Sequence, residues 1–516
     1  MTEKKRLIVF CIFAFILLSF FLPFYHKGRK AVNTNETIRI YLAMAIARNG
    51  TGIVDRQVRD YGLPLDRAEK DGHIYCDKTP GLSFLAVPPY LVILLLKSLL
   101  SIPTPFYLVV YFLRIITIVL PTVLMICFML NMLKKYLDSR IAYLCTTVYL
   151  LGTLAFPMST VFFGHQAAAV LCFLSYYLAK NAIEHPKPRL LIASGLLGGA
   201  GIVVELPTLL IAGAIFILLA IKLKKHSSMI FFLVGILPPL AVLMFYNHIC
   251  FGGWFQSGYA YTQHYFKIVG IKESGFAAIF HPPSLKILWH LTFSSYRGFF
   301  FFSPVLIFSF YGLWLWHKEG HTTESIILTG LIIAYFTFVS ALRDWPGGWS
   351  PGPRHLTPLV PLMILPLGAA AQKIACLRNN FGAKTIGGIL FCSSALISIA
   401  NYFLIECTFL YFPWGVFNPL KDISLRLFLN GKYTFNVLSF FGLSDWVGVI
   451  LSAGVVAAMI TIFCRVGWRR ILTSPYAKLV VLLVSVGWFL LVFHISPRST
   501  LQGETFLNIV YKINGL

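Results

Sequence analysis

Long apolar runs separated by short polar or basic connectors dominate the chain. Each run approaches the roughly 20 mostly apolar residues that a helix needs to cross a bilayer. The first, Leu7–Tyr25, follows Lys4, Lys5 and Arg6, and no small-residue cleavage site comes after it. It reads as an uncleaved helix with its N-terminus in the cytoplasm. The next, Gly81–Ile102, carries Pro88 and Pro89 in its middle, where they remove backbone donors and would break a spanning helix. Counting it as a span would also put the basic loop Lys134–Arg140 outside, against the positive-inside rule. It is therefore read as an interfacial or re-entrant helix, and the second span is Tyr107–Met132. Further spans follow at 141–157, 160–179, 189–204, 207–221, 229–247, 299–316, 325–342, 356–372, 385–404, 446–463 and 476–494. The pattern predicts an all-α polytopic membrane protein over residues 1–516, with about 13 transmembrane helices. Its C-terminal tail lies outside, and its long first extracytoplasmic loop carries interfacial helices.

Composition agrees. The chain is 58% hydrophobic and 12% charged, with a mean hydropathy of +0.77, far from a soluble domain or a disordered one. The net charge of +24 would suggest nucleic acid in a soluble protein. Here much of it orients the chain instead. The inside loops hold 18 Lys and Arg against five acids: Glu3, Asp138, Glu184, Glu319 and Glu324. All the rest holds 25 basic and 14 acidic residues. The ten cysteines form no C-x-x-C pair and suggest neither a disulfide framework nor a zinc site.

Four segments lie outside: 26–106, 248–298, 343–355 and 405–445. The first is too long for a connector and holds seven of the 19 acids. Within it, Asn33 to Gly50 reads as a short helix with an Asn cap and a Gly stop. Glu36 and Arg39 share one face of that helix. Partial desolvation at a membrane surface would suit Glu36 to general-base work. Alternatively, Glu36 stands three residues after Asn33 and bonds back to the cap. Further on, Asp77-Lys78-Thr79-Pro80-Gly81 offers Thr79 as a cap and Pro80 as a first helical residue. That sets Lys78 beside a helix N-terminus, a suitable site for a lipid-linked phosphate. A snorkelling lysine next to a dipole-favouring Asp77 is the alternative. Asp66–Asp71 reads as a solvated charged turn.

Other polar groups gather on the same side: Arg114, Gly164-His165-Gln166, Glu205, Ser294-Ser295-Tyr296-Arg297-Gly298, and the Trp- and Gly-rich loop that ends at Arg354-His355. Ionisable residues at membrane depth are costly and point to function, although a lone Arg or His also serves as a structural donor. The Trp-Gly loop suits either a sugar platform or an aromatic belt. Neither metal-ligand spacing nor a phosphate-binding P-loop occurs, so no cofactor is expected. Open outside loops could still bring acids together around a divalent metal. Asn35-Glu36-Thr37 and Asn49-Gly50-Thr51 match the glycosylation sequon, a weak signal at this composition.

Several of these stretches resemble membrane glycosyltransferases of the GT-C superfamily, in the group containing protein O-mannosyltransferases and the lipid A aminoarabinose transferase. Asn35-Glu36-Thr37 is similar to that group's acidic pair after the first span. Asp77-Lys78-Thr79-Pro80 is similar to its second loop motif, with one residue inserted. Asp71–Gly81, Phe163-Gly164-His165, Tyr296–Phe300 and Gly347–Arg354 carry further likeness, which is piecewise and extends to about residue 360. The resemblance implies inverting transfer of a sugar from a polyprenyl-phosphate carrier to an acceptor hydroxyl on a glycan, lipid or protein, at the outer face of a bacterial inner membrane. By position, Glu36 is the base, with Asp55 and Asp77 as alternatives because the family's usual Asp is Asn35 here. Lys78 binds phosphate beside Asp77, and Arg39, Arg114, His165, Arg297 and Arg354 are further donor-binding candidates. Competing readings are a lipid-linked-saccharide flippase, an O-antigen ligase-like enzyme and a membrane scaffold. A flippase should show midplane polar groups and related halves, and a ligase usually has its large loop late in the chain. Neither pattern is found.

Overall fold

The computed structural model describes residues 2–23, 33–101, 103–262, 279–377, 381–464 and 475–494. The expected C-terminal tail and parts of the first two long loops fall outside these residues. Helix α1 spans Glu3–Phe20, with the Thr2 side chain accepting from Lys5 N. Then come α2 (Thr34–Asn49), α3 (Asp55–Tyr61), strands β1 (Ala68–Lys70) and β2 (His73–Tyr75), α4 (Gly81–Leu100), α5 (Phe106–Arg114), α6 (Leu120–Lys134), α7 (Ser139–Leu151), α8 (Ala155–Thr160), α9 (Gly164–Glu184), α10 (Pro188–Val204), α11 (Leu209–Lys222) and α12 (Met229–Phe251). A five-residue π segment, Ile115–Val119, joins α5 to α6. Later helices include Leu285–Thr292, Phe308–Lys318, Thr322–Ser340, Val360–Cys376, Phe381–Thr408, Asp445–Met459 and Pro475–His494.

Among the described residues, seven helices are long and apolar enough to cross a membrane, and three shorter apolar helices accompany them. The chain is an integral membrane protein with an all-α fold, as the hydropathy pattern predicts. One local expectation fails. Helix α4 runs unbroken through Pro88 and Pro89 and is itself one of the seven. Adjacent prolines remove two neighbouring donors without interrupting the turns on either side; α12 holds Pro238 and Pro239 in the same way.

The centre of the bundle is α7 and α8, buried from Ile141 to Leu151 and from Ala155 to Thr160. Around it, α10 packs against α9 and α12. Helices α10 and α12 meet through glycine, because a Cβ at Gly195 would stand 2.0 Å from Phe232 O and one at Gly235 would stand 2.1 Å from Ile192 O. Small residues let backbones approach where no side chain fits.

The segment between α1 and α5 sits on this bundle. Helix α2 is capped at Asn33, whose side chain accepts from Asn35 N, and stops at Gly50 in the left-handed region (φ 64°). From Asn35 to Ala45 it is buried throughout. The charged stretch Asp66–Asp71 turns out to open an antiparallel hairpin of β1 and β2, with Asp71 (φ 51°) and Gly72 (φ 78°) at its turn. An Asp-Gly pair favours such a two-residue turn.

Candidate active site

Glu36 does not bond back to the helix cap. It is 2% exposed; its Oε2 accepts from Phe162 N at 3.1 Å and its Oε1 from the Tyr411 hydroxyl at 2.6 Å. Burial pushes its carboxyl up to about 7, against the opposing pull of Tyr411, the Phe162 N–H and the Arg114 guanidinium. A carboxylate in that range is suited to exchange protons near neutral pH.

The second motif builds a different centre. Lys78 Nζ lies 2.7 Å from Asp77 Oδ2 and 3.3 Å from Asp66 Oδ2, and 5.7 Å from the centroid of the Tyr259 ring. Burial works against the ammonium, but Asp66, Asp77 and Tyr259 hold its pKa well above the usual lysine value. Asp77 is 3% exposed and its Oδ1 has no hydrogen-bond partner. Thr79 does not cap α4. Its hydroxyl donates to Val204 O at 2.7 Å, while Pro80 stands at the cap position. This ties the motif to the end of α10, where Gly81 lies so close that a Cβ would meet Val203 O at 2.6 Å.

Beside this contact is Glu205, raised by burial and opposed by Arg39, Arg354 and Lys78. Arg39 Nη2 donates to Glu205 Oε1 at 2.9 Å, its Nε to Asn35 Oδ1 and its Nη1 to Thr79 O, both at 3.2 Å. His165 Nδ1 lies 3.7 Å from Glu205 Oε1, and the ring meets that of His355 edge-on at 5.4 Å. Arg354 lies 5.1 Å over the Phe163 ring, with its Nε buried and unpartnered. Gly347 and Gly348 adopt positive φ alongside it, and a Cβ on Gly347 would reach Arg354 Cγ at 3.0 Å.

Lys78, Asp77, Arg39, His165 and Arg354 thus gather around Glu205, from segments far apart in sequence. Glu36 lies a layer away: the Phe163 ring is covered by Arg354 and stands 6.5 Å from that of Tyr411. Three candidates stand elsewhere. Asp55 anchors the hairpin, with its Oδ2 2.7 Å from His73 Nδ1 and its Oδ1 accepting from Ile74 N at 2.8 Å. Arg114 donates to the carbonyls of Ser19, Phe21 and Thr160. Arg297 donates to those of Tyr296, Pro346, Gly348, Phe412 and Pro413. Among the described residues, no three His, Cys, Asp or Glu side chains gather as a metal site would require.

Sequence reasoning missed Tyr411, Tyr259 and Asp66. Tyr411 lies in the uncharged run Phe409–Trp414, which gives no chemical signal. Glu406 was missed because the expected span ends at 404, whereas the helix continues to Thr408 and buries it completely.

The fold is similar to that of ArnT from Cupriavidus metallidurans in the apo state, at 14% identity over 96% of this chain and 78% of that one, with a TM-score of 0.51. ArnT bound to undecaprenyl phosphate aligns at 12% identity over 91% and 78%, TM-score 0.47. The Archaeoglobus fulgidus oligosaccharyltransferase in its apo form aligns at 11% over 77%, TM-score 0.43, and the chain spans 56% of that protein's length. The chain therefore shares the fold of apo ArnT. No protein-family model matches the chain, and no curated protein matches its sequence.

Proposed function

We propose that the chain is a membrane glycosyltransferase that moves a sugar from a polyprenyl-phosphate carrier to an acceptor hydroxyl, with inversion, on the extracytoplasmic face of a bacterial inner membrane. About 13 spans leave the N-terminus in the cytoplasm, with segments 26–106, 248–298, 343–355 and 405–445 on the reacting side. Glu36 takes the proton of the acceptor hydroxyl as that oxygen bonds to the anomeric carbon. The bond from that carbon to the phosphate oxygen breaks, and the carrier phosphate leaves with the electron pair. Lys78 and Arg354 meet its charge. Asp77 and Asp66 orient Lys78, and Arg39 sets Glu205 in place.

The observation that carries this reading is the convergence of Lys78 and Arg354, from loops far apart in sequence, on one buried centre. A cluster of cations close to a buried carboxyl, on a fold shared with apo ArnT, suits in-line displacement of a phosphate-linked sugar. The test is transfer by the purified full-length protein in proteoliposomes, with a panel of polyprenyl-phosphate sugars and a hydroxyl acceptor. Transfer from one donor, lost in Glu36→Gln and in Lys78→Ala, is expected. No transfer from any donor, or full activity in both variants, overturns the proposal.

A further inference from the structure

A second carboxyl lies near Glu36 and has no part in the reaction described above. Glu406, on the helix Phe381–Thr408, is fully buried. Neither of its oxygens has a hydrogen-bond partner. The Thr160 hydroxyl lies beside it but gives its own proton to Pro157 O at 2.9 Å. Arg114, from α5, feels both Glu406 and Glu36, as does Tyr411. Cys407, on the helix of Glu406 itself, and Tyr111, beside Arg114, complete the titratable surroundings.

The charges in this pocket do not balance if both carboxyls ionise. Arg114 brings one positive charge against two negative ones, in a region closed to water. An uncompensated buried charge is among the costliest arrangements a protein can hold, so two carboxyls around one cation retain a proton between them. The hydrogen bonds decide where it resides. Glu36 receives donors on both oxygens, from Phe162 N and Tyr411, which solvate its ionised form. Glu406 receives none.

We propose that Glu36 and Glu406 share one proton across Arg114 and Tyr411, with Glu406 holding it at neutral pH. Glu406 is then a positioning residue. By staying neutral it leaves the Arg114 charge to Glu36 and keeps Glu36 ionised for the base role, which rests on the glycosyl-transfer reading. The proton assignment can be tested without any sugar.

The experiment is infrared spectroscopy of the full-length protein in lipid nanodiscs at neutral pH, reading the carbonyl band of neutral carboxyl groups. Either Glu406→Gln or Glu36→Gln leaves a single carboxyl against the Arg114 charge, so each should lose about one carboxyl's share of that band. A band unchanged in either variant overturns the shared proton. Which carboxyl holds the proton is read on the wild-type protein, which is treated with dicyclohexylcarbodiimide, a reagent that modifies neutral carboxyls in apolar surroundings, and mapped by mass spectrometry. An adduct on Glu406 in preference to Glu36 is expected, and the reverse preference overturns the assignment. Failure of sugar transfer would leave both readouts intact, so the two proposals fall separately.

Discussion

The Tyr411 hydroxyl donates to Glu36 Oε1 at 2.6 Å, joining residues 375 positions apart in the chain. The bond favours the ionised carboxyl, and burial opposes it, so Glu36 settles at about 7. A base must be ionised to accept a proton, so transfer should decline as pH falls through about 7 and hold level above it.

Tyr411→Phe tests that balance. Removing a hydrogen bond to a charged group costs roughly 1.5–3 kcal/mol, and each pKa unit corresponds to about 1.4 kcal/mol. The carboxyl should rise further, moving the acid limb of the kcat/KM profile up by about one to two pH units. An unmoved limb would remove Glu36 from the base role even if the rate itself fell.

Lys78 carries a different expectation, because it sits between Asp66 and Asp77 rather than against a single partner. Lys78→Ala should lower transfer by on the order of a hundred- to a thousandfold, as loss of one charge-stabilising donor does. Asp66→Asn leaves the Asp77 contact in place and should cost much less, about tenfold, by loosening the ammonium. The two rates in proteoliposomes separate a phosphate ligand from a lysine that only holds the loop: in the second case both variants lose stability together and the rate ratio disappears.

The fold was largely legible because its signal is repetitive. Runs such as Tyr107–Met132 and 446–463 correspond to Phe106–Lys134 and Asp445–Cys464 almost end to end. Where the signal is a single residue, reading from sequence weakens. Pro88 and Pro89 suggested a break that the surrounding turns absorb. Glu406 was assigned to a loop because one acid ends a hydropathy run, although a buried helix can continue past it. In the site, the paired motifs around Glu36 and Lys78 were found because they carry charge. Their partners were not: Phe162 contributes only its backbone N–H, and Tyr411 lies in an aromatic run with no distinguishing feature. Arg39, Arg114 and Arg297 show the converse. Each charge is conspicuous in the sequence, but only the structure reveals that each guanidinium ties the protein to itself.

Arg297 makes that last point testable. Its guanidinium gathers carbonyls from Pro346 and Gly348 on one loop and from Phe412 and Pro413 on another. A lysine keeps the charge but not the planar fork. Arg297→Lys should lower unfolding stability by about 2–4 kcal/mol, read as a lower melting temperature, with the donor KM within about twofold of wild type at a temperature where the variant is folded. A phosphate ligand would show the opposite split, a raised KM at unchanged melting temperature.

The α10–α12 crossing sets the last expectation, and it concerns the scaffold rather than the chemistry. At Gly195 and Gly235 an added Cβ would lie 2.0 and 2.1 Å from opposing carbonyl oxygens, Phe232 O and Ile192 O. Those neighbours are backbone atoms and cannot swing aside as a flexible side chain would. Gly195→Val or Gly235→Val must therefore separate the two helices, and overpacking of this kind costs about 1–3 kcal/mol even where side chains can yield. The displacement would also propagate to the site, because α10 ends at Val204, whose carbonyl accepts from Thr79 beside Lys78. Both variants should melt earlier than wild type, and whatever fraction remains folded should transfer sugar more slowly. Gly213→Val, on neighbouring α11 with nothing within 4 Å of its Cβ position, should change neither the melting temperature nor the rate. Equal melting of all three variants would mean that the close approach of α10 and α12 is not what holds this part of the bundle together.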